Sequence, residues 1–164
     1  MPVCLITGVA GFIGSSLADA LLARGEEVRG VDCFTDYYSR DAKERNLTQA
    51  RVSGRFQFTE ADLTVCNLDA LLDGVSTVYH LAAQPGVRTS WGAEFQVYTR
   101  NNILATQRLL EAARLRPSLG KLVYASSSSV YGDALSLPQR ETDLCRPVSP
   151  YGVSKLAAEH LCYL

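Results

Sequence analysis

No stretch of the 164-residue sequence approaches the roughly 20 consecutive apolar residues that a membrane-spanning helix requires. Charge of one sign is equally scarce. Sixteen Lys and Arg against 17 Asp and Glu leave a formal net charge of −1, too little to draw a protein to nucleic acid or an anionic membrane. The five cysteines (Cys4, Cys33, Cys66, Cys145, Cys162) are odd in number and never spaced as a CxxC pair. That pattern argues against a disulfide framework and against a zinc site, and fits a reducing compartment. Only two histidines occur, and neither has metal-ligating partners at useful spacing. His80 reads as a packed strand residue and His160 as an exposed helix residue. The first apolar run, "VCLITG" from Val3, is too short for the core of a signal peptide. Repeats, low-complexity tracts and interdomain linkers are missing as well. What remains is 47% hydrophobic and 20% charged, the composition of one folded domain. The expectation is a cytoplasmic protein with no nucleic-acid, membrane or metal partner.

Short and long apolar segments alternate along the chain. "VCLIT" (3–7), "EVRGVD" (27–32), "RFQFTEADL" (55–63), "TVYHLAA" (77–83) and "KLVYASS" (121–127) read as five strands. "SSLADALLAR" (15–24) repeats its apolar residues at helical spacing. A shorter helix is expected near 67–73 and a long one over 92–116, stopped by Pro117. Segment 33–54 is polar and reads as irregular or partly helical. Strands alternating with helices predict an α/β fold, a doubly wound parallel sheet of the Rossmann type.

Gly8, Gly11 and Gly14 in "TGVAGFIG" stand between the first strand and the first helix. A tight turn there needs a glycine, a dinucleotide diphosphate needs close backbone approach, and helix–sheet packing favours a third. The uncompensated amides of the helix start would then receive the phosphates. A glycine-rich turn without function fits the three residues alone about as well. Asp32 tips the balance: it ends the second strand, where its carboxylate can accept from the adenosine ribose hydroxyls and repel a 2′-phosphate. NAD is therefore expected rather than NADP.

At the other end, "SPYGVSKLAAEH" places Tyr151 and Lys155 four apart on one helix face. Ser149 suits the capping position and Pro150 the first turn. A phenol with a pKa near 10 is a poor base at neutral pH; an adjacent ammonium stabilises its phenolate. The same spacing arises often by chance, and it gains meaning only after a fingerprint turn and a fifth strand.

The spacing GxxGxxG, the run "TGVAGFIGS", "ADL" (61–63), "HLAA" (80–83) and the Tyr-x-x-x-Lys pair resemble, in this order, the extended short-chain dehydrogenase/reductases. Within that group the chain is similar to nucleotide-sugar epimerases and dehydratases. The resemblance implies NAD contacts at Gly8, Gly11, Phe12, Ile13, Gly14 and Asp32. It implies further contacts at Asp62, Leu63, Leu81, Ala82, Ala83, Tyr151 and Lys155. Asn102 belongs to the same group as a residue supporting the active site, on a helical stripe with Phe95, Tyr98, Thr106 and Leu109. By the family pattern SSxxVYG, Ser127 is the hydroxyl that polarises the sugar, with Ser128 and Ser129 facing substrate. A solvated polar loop fits the latter two as well. Dehydratases of the family carry an Asp-Glu pair before VYG, and decarboxylases a glutamate. Serines stand there in this chain, so dehydration is disfavoured and 4-epimerisation is left.

"HLAAQPGVRTS" and "VDCFTDYYS" look more like UDP-glucuronate than UDP-galactose 4-epimerases. Gly86, Val87 and Arg88 are then candidate substrate residues. Arg88 would grip a diphosphate or carboxylate through a bidentate fork, although a plain surface arginine fits it too. The implied activity is conversion of UDP-glucuronate to UDP-galacturonate by transient oxidation at C4. Alternatives are a UDP-glucose/galactose 4-epimerase, an NAD(P)-dependent sugar reductase or dehydratase, and a non-catalytic NAD sensor. Relatives of this kind are longer, so residues 1–164 are expected to be an NAD-binding N-terminal domain, truncated before the C-terminal strands and substrate region and inactive alone. The family habit of pairing through its long helices implies a homodimer through segments 93–116 and 149–164.

Overall fold

The computed structural model describes residues 2–133 and 137–164. The chain divides into two compact units, Met1–Ala82 with Glu111–Ala125, and Ala83–Leu110 with Ser126–Leu164.

The first unit is built on a parallel sheet. Its strands are β1 (Val3–Thr7), β2 (Glu27–Asp32), β3 (Phe56–Glu60), β4 (Val75–His80) and β5 (Lys121–Tyr124), in the order β3-β2-β1-β4-β5. Central β1 is buried from Cys4 to Thr7 without alternation, as expected of a parallel strand covered on both faces. Edge strand β3 instead alternates, half-burying Phe56 and Phe58. Helix α1 (Phe12–Ala23) lays Ala18, Leu21 and Leu22 into a core with Cys4, Ile6, Val28, Leu47 and Ala50. The polar segment after β2 forms two short helices, α2 (Arg40–Asn46) and α3 (Thr48–Arg51). Helix α4 (Leu68–Leu72) follows β3 and buries Leu68, Leu71 and Leu72. The strand order reverses at β1, where β2 lies on one side and β4 on the other. Open α/β sheets bind ligands at the carboxyl ends of strands flanking such a point.

Three strands end earlier than the apolar pattern predicts. After His80 the backbone leaves the ladder: Leu81 N–H bonds the Thr7 carbonyl at 3.3 Å and Ala82 N–H bonds Thr7 Oγ1 at 3.1 Å. Beyond Glu60 and Tyr124 the strands likewise end, so the expected ends at 63, 83 and 127 move to 60, 80 and 124. Helix α1 starts three residues before the expected 15, at the glycine turn itself.

The second unit holds α5 (Phe95–Tyr98), a π-helical segment Thr99–Leu104, the start of α6 (Ala105–Ala113), and α7 (Pro150–Tyr163). The single helix expected over 92–116 is thus a composite. A 3₁₀ turn at Gly92–Glu94 precedes it, a wide turn interrupts it, and it stops at Ala113, where Arg116 N–H closes on the Ala113 carbonyl. Residues preceding a proline resist the helical conformation. Helix α7 agrees with its expected bounds, and Ser149 Oγ accepts from Gly152 N–H at 3.1 Å.

Candidate active site

In the first unit the glycine turn follows β1. Gly8 has φ +70°, a conformation L side chains rarely adopt. A Cβ there would also sit 2.8 Å from Ala82 N, and one on Gly14 would lie 2.3 Å from the Gly8 carbonyl oxygen. Both glycines are fixed by close backbone approach. Gly8 N–H bonds the Val31 carbonyl at 2.8 Å and Gly11 N–H bonds the Gly8 carbonyl at 3.1 Å. Helix α1 then starts with no side-chain cap and no acidic residue in its first turn, among the described residues. Its leading amides and the positive end of its dipole are available to an anion. Phe12 and Ile13 stand exposed at this end.

Asp32 is not the open acceptor the sequence suggests. It is buried, and Oδ2 accepts from Ala10 N–H at 3.1 Å while Oδ1 accepts from Phe34 N–H at 2.9 Å. The ammonium of Lys43, itself buried on α2, donates to Oδ1 at 3.1 Å and to Thr35 Oγ1 at 3.4 Å. A carboxylate has about four lone-pair sites and an ammonium three donors. One acceptor on Asp32 and one donor on Lys43 are therefore left for a ribose diol. Lys43 escaped the sequence reading because it lies in an aperiodic polar segment. Asp62 accepts from both the amide and the hydroxyl of Thr64 at 2.7 Å, shaping the turn after β3, and Leu63 is buried. His80 is buried as expected, with Nδ1 2.7 Å from Thr7 Oγ1.

In the second unit the serines form a 3₁₀ turn, Ser128–Val130, capped by Ser127 Oγ, which accepts from Ser129 N–H at 3.2 Å. Ser128 is exposed, and Ser127 and Ser129 are half-buried. Ser126 carries a buried hydroxyl with no hydrogen-bond partner among the described residues, a bond that a ligand or water would supply. The serine turn and the first turn of α7 meet backbone to backbone: a Cβ on Gly152 would lie 2.5 Å from the Ser129 carbonyl oxygen. Glycine at 152 lets the residue beside Tyr151 press against the serine turn.

Tyr151 is half-buried, its ring edge-on to Tyr98 at 6.2 Å between centroids. Lys155 is 3% exposed. Burial pushes its ammonium down from 10.5 to about 8, with Cys162 and Glu159 opposing the shift. A lysine in that range is charged near neutral pH yet able to release its proton. Asn102 is buried within the π-helical segment. It accepts from Gln84 N–H at 2.7 Å and donates to the Gln84 carbonyl at 3.2 Å and Ser154 Oγ at 2.9 Å. Of its expected stripe, Tyr98, Thr106 and Leu109 are buried across the wide turn, and Phe95 is half-buried. Ala83 and Gly86 are half-buried, and Val87 and Arg88 are exposed.

Residues 5–164 match the family described as GDP-mannose 4,6 dehydratase. The chain belongs to that family. The chain is 45% identical over 161 residues to a Bacillus subtilis protein described as an uncharacterized UDP-glucose epimerase, YtcB, covering 98% of this chain and 50% of that one. It is 39% identical to the UDP-glucuronate 4-epimerase of Thermodesulfobacterium geofontis, covering 97% of this chain and 50% of the relative. UDP-glucuronic acid 4-epimerase from Bacillus cereus, solved in complex with UDP-glucuronic acid and NAD, superposes with a TM-score of 0.95 at 47% identity, over 98% of this chain and 51% of that structure. The chain thus spans about half the length of the curated relatives it matches. Among the described residues no cluster of three or more His, Cys, Asp or Glu is placed to hold a metal ion, and no helix is long and apolar enough to cross a membrane.

Proposed function

We propose that the complete protein is an NAD-dependent nucleotide-sugar 4-epimerase acting on UDP-glucuronate, with residues 1–164 as its NAD-binding part. The observation that carries this reading is the second unit's Ser127 turn, pressed by Gly152 against the helix that bears Tyr151 and a buried Lys155. Support also comes from the absence of a carboxylate at 128 and 129, where a dehydratase of this family needs one.

In the first unit, the leading amides of α1 would hold the diphosphate, and Asp32 with Lys43 the adenosine ribose. Bound NAD supplies a reversible hydride acceptor for C4 of the sugar. Tyr151 takes the proton of the 4-hydroxyl and returns it after the 4-keto sugar has turned over. Ser127 donates to the same oxygen and polarises it. Lys155, one turn further along the same helix, would hold the nicotinamide ribose. Ser128 and Ser129 add hydrogen bonds but no acid, so the chemistry stops at oxidation and reduction of one carbon. Gly86, Val87 and Arg88 would meet the sugar diphosphate, Arg88 through its guanidinium fork.

The 45% identity to a protein described as a UDP-glucose epimerase favours a second reading, with glucose in place of glucuronate. One experiment separates them: product analysis of the complete protein offered UDP-glucuronate, UDP-glucose and a dTDP-sugar in parallel. UDP-galacturonate from UDP-glucuronate alone supports the first reading. Turnover of UDP-glucose alone replaces it with the second. A homodimer and a cytoplasmic location extend the proposal, and light scattering and fractionation test them.

A further inference from the structure

Two residues four apart on one helix, Tyr98 and Asn102, hold a single loop from beneath. Asn102 exchanges two hydrogen bonds with the backbone of Gln84, as strand neighbours do. Reversing its amide would set donor against donor and acceptor against acceptor, so the network fixes its orientation. The Tyr98 hydroxyl lies 3.1 Å from the Pro85 carbonyl, 2.8 Å from that of Gly86 and 2.7 Å from Thr89 Oγ1. A phenol has one proton to give, so the carbonyls receive it and Thr89 donates in return. Within the loop, Gly86 has φ +108°, and buried Ser90 bonds the Val87 carbonyl through Oγ at 2.7 Å. Gln84, Pro85, Gly86 and Thr89 are thereby tied down, and Val87 and Arg88 are left outward on a braced loop.

The same two residues reach Tyr151. The Tyr98 ring meets its ring edge-on. Asn102 donates to Ser154 Oγ, which in turn donates to the Tyr151 carbonyl at 2.7 Å. The wide turn Thr99–Leu104 lies where the helix must serve loop and α7 together.

We propose that Tyr98 is a positioning residue with two separable actions: its hydroxyl sets the loop that receives the diphosphate of the nucleotide sugar, and its ring sets the angle of Tyr151. This rests on the epimerase reading for its kinetic consequences, but not for its structural ones. Tyr98→Phe removes the first action and keeps the second, whereas Tyr98→Leu removes both. In the complete protein, Tyr98→Phe should raise KM for the UDP-sugar about tenfold, the usual effect of losing a buried hydrogen bond, with kcat changed less than about threefold. Tyr98→Leu should lower kcat as well. Thr89→Val, at an exposed position that removes only the loop-side partner, should raise KM in the same direction and guards against a Tyr98 variant that fails to fold. Amide hydrogen exchange of segment 84–90, measured without substrate, should accelerate in Tyr98→Phe and Thr89→Val while α7 keeps its protection. Unchanged exchange in the loop, or a fall in kcat at constant KM in Tyr98→Phe, overturns the proposal. Wild-type protein that converts none of the UDP-sugars sinks the epimerase reading instead, and the exchange result still decides the brace.

Discussion

Replacing Lys155 by methionine should make the folded chain more stable near neutral pH, although it destroys the proposed activity. The wild-type ammonium is 3% exposed, and burial brings its pKa from 10.5 to about 8. A depressed pKa means that the folded state binds this proton less tightly than the unfolded state does. The lysine's contribution is therefore most favourable above pH 10.5 and is lost as pH falls through about 8. At 1.36 kcal/mol per pKa unit, the shift corresponds to a penalty of about 3 kcal/mol at pH 7. Methionine has similar length and no charge to desolvate, so Lys155→Met escapes that penalty, less what the ammonium's own contacts return. For a chain of this size about 3 kcal/mol is roughly 6–12 °C in Tm. Urea unfolding of both proteins near pH 7 and near pH 10 gives the test. The gap should favour the variant at the lower pH and shrink at the higher. A variant less stable at both, or a gap independent of pH, would show that the buried ammonium carries no such penalty.

Breaking the buried Asp32–Lys43 pair with Lys43→Met should destabilise the first unit by about 3–5 kcal/mol, because a buried carboxylate loses its cationic partner, and should weaken NAD binding; denaturation and calorimetric titration read the two effects. Gly152→Ala must separate α7 from the Ser129 carbonyl or strain both, costing about 1–3 kcal/mol and lowering kcat, as urea unfolding and steady-state kinetics would show. Tyr151→Phe should cut turnover by about 10²–10⁴ with the fold intact by circular dichroism. Cys4, buried against Glu26 and pushed up to about 12, should resist a thiol reagent at neutral pH in the folded chain, while exposed Cys33 reacts, as mass spectrometry of the alkylated protein would reveal.

Local rules made much of this fold legible in the sequence. The glycine turn, the capping Ser149 and the Tyr-x-x-x-Lys spacing each obey constraints spanning a few residues, and each sits where those constraints put it. Strand ends were less legible. "TVYHLAA" stays apolar past the point where Thr7 captures the amides of Leu81 and Ala82, and only the neighbouring strand reveals that capture. Lys43 was invisible because its burial depends on Asp32 eleven positions away, in a segment without hydrophobic period. The brace on the 84–90 loop was hidden for the same reason. Tyr98 and Asn102 read as stripe members, but their partners at 84–89 and 154 are tertiary. The wide turn at Thr99–Leu104 has no spacing signature in that helix at all.

The most direct test of the proposed chemistry follows the hydrogen at C4. UDP-glucuronate deuterated at C4 is incubated with the complete protein, and the product is analysed by NMR while NADH absorbance is recorded. The expected product is UDP-galacturonate that keeps its deuterium at C4, with no net NADH. Loss of the deuterium to water, or steady accumulation of NADH, would contradict it.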